Sequence, residues 1–337
     1  MFRLAAMVGA LHLGLIAGAV AQEMTVRRPV STYSIVARDS ATGQLGVAVQ
    51  SHWFSVGPLV PWAEAGVGAV ATQSFVDPRY GPLGLDLMRL GRSAPEALHA
   101  LVSTDSDSTV RQVAMIDAQG RVAAFTGRRA VPAAGHYTGA QYSVQANLME
   151  KPTVWPAMAR AYENAQGDLA ERLLQALEAA EREGGDIRGK QSAAILIVGP
   201  ESTGRAWADR IVDLRVEDHP DPLVELRRLV TLSRVYRKLN EGDEWVTRGD
   251  MQRAVEAYSE ALGIAPDAAT NGEAAFWTGI SLIGAGQVEE GIPFLRRAQA
   301  VHSRWAELVE RLPTVGLLPD DPALVARLVR EMRRGRR

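Results

Sequence analysis

TYSIVARDSATGQLGVAVQS, Thr32–Ser51, is the stretch whose reading decides the fold. Ser34-Ile35-Val36-Ala37 and Leu45-Gly46-Val47-Ala48-Val49 are short apolar runs, and Ala41-Thr42-Gly43-Gln44 between them is a tight turn. Two β-prone runs joined by a Gly-containing turn make a hairpin. Each run is apolar on both of its faces, which puts the hairpin in a sheet covered on both sides. Thr32, Tyr33 and Ser34 open the first strand. Two readings of those hydroxyls stand side by side. They are polar residues at a strand start, or one of them attacks an amide while the α-amine of the same residue takes the proton. An α-amine suits that task because its unperturbed pKa is about 7.7–8.0.

The chain has 337 residues, a length that suits two domains, and its 47% hydrophobic content can fill a sizeable core. A formal net charge of −2 gives no electrostatic case for nucleic acid or an anionic membrane. The six arginines from Arg327 to Arg337 read as a solvated helix end. The absence of cysteine excludes disulfides, thiolate nucleophiles, cysteine-ligated metals and a lipid-anchored leader.

Residues 1–21 have the pattern of a secretory signal peptide: Arg3, a mostly apolar core from Leu4 to Val20, and Ala19-Val20-Ala21 as the cleavage site. Gly9, His12, Gly14 and Gly18 interrupt that core, and a membrane span needs about 20 residues. The expectation is an exported protein, periplasmic or secreted, with residues 22–31 as a spacer or propeptide.

Outward from the hairpin, the Gly- and Pro-rich segment Phe54–Gly66 reads as a loop and Val67–Phe75 as a third strand. A helix runs from Tyr80 to about Leu90, and Ser93-Ala94-Pro95-Glu96 is a capping box opening the next. Val110–Ile116 and Val122–Phe125 flank a turn, and Tyr142–Leu148 is another strand. Two helices follow, the second capped by Asp168 with Glu171 completing its box. Gln191–Val198 and Arg210–Val216 close this part as strands. Hairpins rather than βαβ crossovers argue for an α+β fold of helices layered over antiparallel sheets. Asp221-Pro222 starts a long helix that ends near Leu239, where Asn240-Glu241-Gly242 stops it.

Beyond Asn240 the composition is helical. Ala254, Tyr258, Ala261, Ala275, Gly279 and Ala298 alternate with the larger Trp277, Phe294 and Leu295, a pattern that looks like about two tetratricopeptide repeats. Such units need neighbours to cover their apolar faces. The domains expected are therefore 32–240 and a small all-α module, 241–337.

No two of the six histidines lie three or four residues apart, and there is no HExxH, nucleophile elbow or phosphate loop. Glu217–Asp221 gathers potential ligands, but Asp221 has a helix to cap. No metal and no cofactor is expected. More telling are amides within apolar strands: Gln73 in VATQSF, Gln145 and Asn147 in YSVQANL, and Gln191 opening QSAAILIV. A buried amide must find partners. It bonds a loop backbone, or it faces a cavity and holds substrate. Asn147 is the candidate oxyanion donor, a role worth roughly 3 kcal/mol. Arg188, after Asp186, either neutralises a substrate carboxylate or pairs with Asp186. His136, at the end of a loop, is a candidate acid–base group or substrate contact.

TYSIVARDSATGQLGVAVQS, VPWAEAGVGAVATQ, RQVAMIDAQGRVAAFTG, AGHYTGAQYSVQANLM, GGDIRGKQSAAILIV and IVDLRVEDHPDPLVELRRL together resemble domain of unknown function 1028, a family grouped with the Ntn hydrolases. The resemblance runs from Thr32 to Leu239. It implies a four-layer αββα sandwich and, more loosely, hydrolysis of a carbon–nitrogen bond. By position it brings in Thr32 as nucleophile with Ser34 as runner-up, and Gln73, Asp117, His136, Asn147, Asp186, Arg188 and Gln191 as recurrent motif residues. The spacer 22–31 departs from it, because a free Thr32 amine needs a second cut after Ser31. Ala146 stands where relatives have Gly. The function expected is an exported Ntn-type amidohydrolase for a small amide, urea or peptide bond. The alternative is an inactive scaffold that binds a ligand or protein partner through its helical repeats. Partners to consider are thus a small-molecule or peptide substrate, a protein on the repeats and a second copy in a homo-oligomer; no nucleic acid or membrane is expected after leader removal.

Overall fold

The structure, a computed structural model, describes residues 29–30 and 32–334. The expected leader and most of the spacer lie outside the described residues. The hairpin forms as read, with β1 (Thr32–Arg38) and β2 (Leu45–Ser51) antiparallel and Arg38 opposite Leu45. Next come β3 (Pro61–Glu64), β4 (Gly68–Ser74), and helices α1 (Tyr80–Arg89) and α2 (Ala94–Thr104). The Ser93 capping box closes as its sequence requires. β3 and β4 pair as a hairpin, as do β5 (Arg111–Asp117) with β6 (Val122–Thr126) and β7 (Gly135–Gly139) with β8 (Tyr142–Ala146). α3 (Val154–Asn164), α4 (Leu169–Arg182), β9 (Ser192–Val198), the single turn α5 (Ala206–Asp209) and β10 (Arg210–Val216) lead into α6 (Pro222–Thr247).

The fold is α+β, with two antiparallel sheets. One runs β10-β9-β2-β1-β8-β7 and the other β3-β4-β5-β6. Strand alternation sorts the side chains. Tyr33, Ile35 and Ala37 face outward into a core with Met158, Leu173 and Leu177 of α3 and α4, while Val36, Val47 and Val49 face the second sheet across Ala69, Ala71 and Ile116. On the far side of that sheet, Val70, Val113 and Met115 pack against Leu85, Met88 and Leu98 of α1 and α2. Each such Val, Leu, Ile or Met side chain removed from water stabilises the fold by about 1.5–3 kcal/mol. Tyr33 also ties α4 to β1, its hydroxyl donating to Glu181 Oε2 at 2.7 Å. Burial raises its pKa well above the usual phenol value, so it stays a donor.

Five local expectations are corrected. The segment 54–66 is not all loop: β3 lies in it, an edge strand that tolerates Pro61 at its first position. β7 pairs with β8 where only a loop ending at His136 was expected. Asp221 does not cap α6, since its carboxylate goes to Lys190. Glu171, likewise, turns from its N-cap to Arg227 Nη1 at 3.0 Å.

Asn240-Glu241-Gly242 does not stop α6, which continues to Thr247. Gly242 is there for space: a Cβ on it would lie 2.3 Å from Tyr258 Cε1. Its first half, through Leu223, Leu226 and Val230, joins the core under the six-stranded sheet. Its second half, through Val235 and Leu239, joins Ala254, Tyr258 and Ala261 of α7 (Met251–Ile264). α8 (Glu273–Gly284), α9 (Val288–Val301), α10 (Trp305–Val309) and α11 (Pro322–Arg333) complete the chain around Phe276, Leu295 and Leu328.

Candidate functional site

At the Thr32 end of β1 the space between the sheets changes from apolar to polar. Thr32, Ser34, Ser51, Gln73, Gln112, Ser143, Gln145 and Asn147 are all fully buried there. The pairing register explains the gathering. Ser34 is opposite Gln145, and Gln73 is opposite Gln112 on the facing sheet.

Ser34 Oγ donates to Gln73 Oε1 and accepts from Gln145 Nε2, both at 2.6 Å. Ser143 Oγ donates to Gln145 Oε1 at 3.0 Å. Gln73 Nε2 donates to Gln112 Oε1 at 2.6 Å, and Gln112 Nε2 to the Ala146 carbonyl and Thr126 Oγ1, both at 2.9 Å. Because Gln112 must turn its nitrogen to those acceptors, its oxygen faces Asn147, whose Nδ2 donates to it at 2.9 Å. This fixes the Asn147 amide. Its other N–H reaches the Thr32 carbonyl at 3.4 Å, and its buried Oδ1 has no hydrogen-bond partner among the described residues.

The Thr32 carbonyl collects three donors: Asn147 N at 3.1 Å, Gln73 Nε2 at 3.2 Å and Asn147 Nδ2. Its side chain is held differently. Thr32 Oγ1 donates to the Val30 carbonyl at 2.8 Å and lies 3.3 Å from Ser51 Oγ. Val30 in turn makes an isolated two-bond bridge with Ser74, N to O at 2.7 Å and back at 3.0 Å. Ser74 has φ +70°, a costly conformation for a residue with a side chain, and its buried Oγ is without a partner among the described residues. Arg111 holds the turn beyond it, donating to the Phe75 carbonyl at 2.6 Å while bonded to Asp105.

The sequence candidates divide accordingly. Thr32, Ser34, Gln73 and Asn147 meet in one network. His136 joins only at its outer end: exposed on β7, its Nδ1 lies 2.8 Å from Thr126 Oγ1. Thr126 accepts from Gln112, and in the neutral imidazole tautomer with hydrogen on Nε2 its own proton goes to Nδ1. Partial desolvation lowers the His136 pKa in keeping with that neutral form. Arg188 takes the alternative role foreseen for it, gripping Asp186 with Nε and Nη2 at 3.0 and 2.7 Å and reaching the Pro29 carbonyl at 3.4 Å. Gln191 is outside the network, its amide donating to Asp218. Asp117 is a structural anchor, accepting from Ala94 N and paired with Arg121. Gln112, Ser51, Ser74 and Thr126 escaped the sequence reading. For Gln112 the signal was present, an amide inside the apolar strand RQVAMID. No group of three or more metal-ligating side chains occurs among the described residues.

Residues 32–226 match the family model described as a family of unknown function, DUF1028. The crystal structure of a protein of the same family from Silicibacter pomeroyi is similar, with 31% identity over 60% of this chain and 86% of that one and a TM-score of 0.55. No curated protein matches.

Proposed function

This chain belongs to the DUF1028 family, whose function is unknown, and from that premise we propose that it is an exported amidohydrolase of the Ntn type. The observation that carries the reading is the position of Thr32: a hydroxyl at the first residue of a buried central strand, at the polar end of the gap between two sheets. The order helices, sheet, sheet, helices supports the Ntn sandwich.

In the proposed reaction a cut after Ser31 frees the Thr32 amine. Thr32 Oγ1 attacks the substrate carbonyl, its proton passes to that amine, and the C–N bond breaks as the leaving nitrogen takes the proton. Water then hydrolyses the ester and restores the hydroxyl. Gln73 and the Asn147 amide nitrogen clamp the Thr32 carbonyl and so aim the side chain. Asn147 Nδ2 is the proposed oxyanion donor. Its 3.4 Å bond to the Thr32 carbonyl is the weaker of its two and the one exchanged as charge develops. Ser34 is the poorer nucleophile, because both sides of its hydroxyl are bound to amides and neither partner is a base.

One observation favours the alternative, an inactive binding scaffold. With Val30 in place the Thr32 nitrogen belongs to a peptide bond, and its hydroxyl is engaged upstream. The helical part then supplies the binding surface. Its resemblance to tetratricopeptide repeats is supported by Gly279 and Gly291, where a Cβ on either would come within 3 Å of the other's carbonyl oxygen. Asp243, Val246, Trp277, Ile280 and Leu317 line a cavity of about 520 Å³ beside them.

N-terminal sequencing of the exported protein, with a screen of amides, ureas and cyclic imides, tests the proposal. Thr32 at the terminus together with turnover supports it. A retained spacer and no turnover support the scaffold.

A further inference from the structure

Val30 is bound as a substrate residue is bound, rather than as a strand of the fold. It belongs to neither sheet, yet its N–H and carbonyl both pair with Ser74 at the end of β4, and its side chain is 1% exposed within the apolar cluster that includes Val49, Val56 and Ala71. The carbonyl of the residue before it, Pro29, takes an N–H from Arg188, and its own carbonyl takes the Thr32 hydroxyl. One residue in extended pairing at Val30, the Arg188 contact on the Pro29 carbonyl, one buried side chain and a strained Ser74 make a strip for backbone-paired recognition of a peptide.

We infer that this strip is the acyl-side subsite of the protein, and that it takes an extended peptide with a β-branched apolar residue second before the bond to be cut. The inference rests on the reading of Thr32 as nucleophile, which places that bond next to Thr32. In the uncut chain, Pro29 and Val30 fill the strip. Once they leave, Ser74 offers one donor and one acceptor to an incoming backbone, Arg188 reaches the preceding carbonyl, and the space left by Val30 selects the side chain. This explains why Ser74 keeps a costly backbone conformation: it turns the end of β4 so that its N–H and carbonyl face the neighbouring chain.

The test uses the full chain and a fluorescent Ac-Arg-Pro-Val-Ser-NH2 peptide, which copies residues 28–31. Val30→Asp places a carboxylate in the apolar cluster and so vacates the strip; Val30→Gly vacates it more gently and serves if the first variant misfolds. Fluorescence anisotropy should show the peptide bound by these variants at least about tenfold more tightly than by the native chain, whose own Val30 competes. Replacing the peptide's Val with Gly, or N-methylating that Val to remove the N–H that meets Ser74, should each weaken binding about tenfold or more. Equal binding of the three peptides, or binding of none by either variant, overturns the subsite. The two readings fail separately. Selective binding that survives a further Thr32→Ala change, with no cleavage by processed protein, sinks the hydrolase and leaves the subsite. Turnover of small amides with unselective peptide binding does the reverse.

Discussion

The Thr32 hydroxyl donates to the carbonyl of Val30, two residues upstream, at 2.8 Å. That carbonyl also accepts the Ser74 N–H, at 3.0 Å. The side chain proposed as nucleophile is thus parked on the segment whose removal would expose its amine. Val30→Gly, which loosens that segment, should make the 31–32 region more open to added protease. Limited proteolysis with mass spectrometry measures this; equal cutting of both chains would show that the bridge to Ser74 does not hold the segment.

Gln112 is the hub of the buried amides, serving Gln73, Asn147, Thr126 and the Ala146 carbonyl. Gln112→Ala strands several of those groups, each at a cost of about 1–3 kcal/mol. Urea unfolding should register a loss of several kcal/mol, whereas Gln191→Ala, which removes one bond to Asp218 at the surface, should stay within about 0.5 kcal/mol.

The two residues also mark how far the sequence could be read. Hairpins with buried strands on both faces were legible from apolar runs and turn residues, and β10 falls on the residues expected. The polar cluster was half legible. Gln73 and Asn147 stood out as amides in apolar strands, but whether they meet depends on register across two sheets, which no local pattern encodes. β3 was hidden by a proline and β7 by glycines. Gly242 was misread because a glycine in a helix can be a stop or a contact, and only Tyr258 on the next helix decides between them.

Gly242→Ala is therefore expected to destabilise the protein. In an ordinary helix interior the same change gains about 0.5–1 kcal/mol. Here the added methyl meets Tyr258, whose hydroxyl is bonded to Asp243 at 2.7 Å and whose ring is fixed. A lower thermal midpoint in calorimetry is the expected result; a rise would mean that α6 and α7 part easily.

His136 gives a pH signature. Desolvation lowers its pKa in the folded chain, so the unfolded chain binds its proton first, at about pH 6.5. The stability this contributes is complete above about pH 6.5 and is lost as pH falls through the lower folded value. Protonation of Nδ1 would also reverse its bond with Thr126, making the imidazolium the donor and forcing the hydroxyl to turn its own proton elsewhere. His136→Asn should flatten the fall in stability as pH drops below about 6.5. Parallel urea titrations of the two proteins over that window measure it, and identical slopes would remove His136 from the network.

The most direct test of the central claim is the turnover of one amide substrate by processed protein with and without Thr32→Ala. The variant loses a small side chain at a strand start and should fold normally, while its turnover falls to the uncatalysed background. Thr32→Ser, which keeps both hydroxyl and amine, should retain part of the rate. Undiminished turnover by Thr32→Ala would contradict the account and move the nucleophile elsewhere.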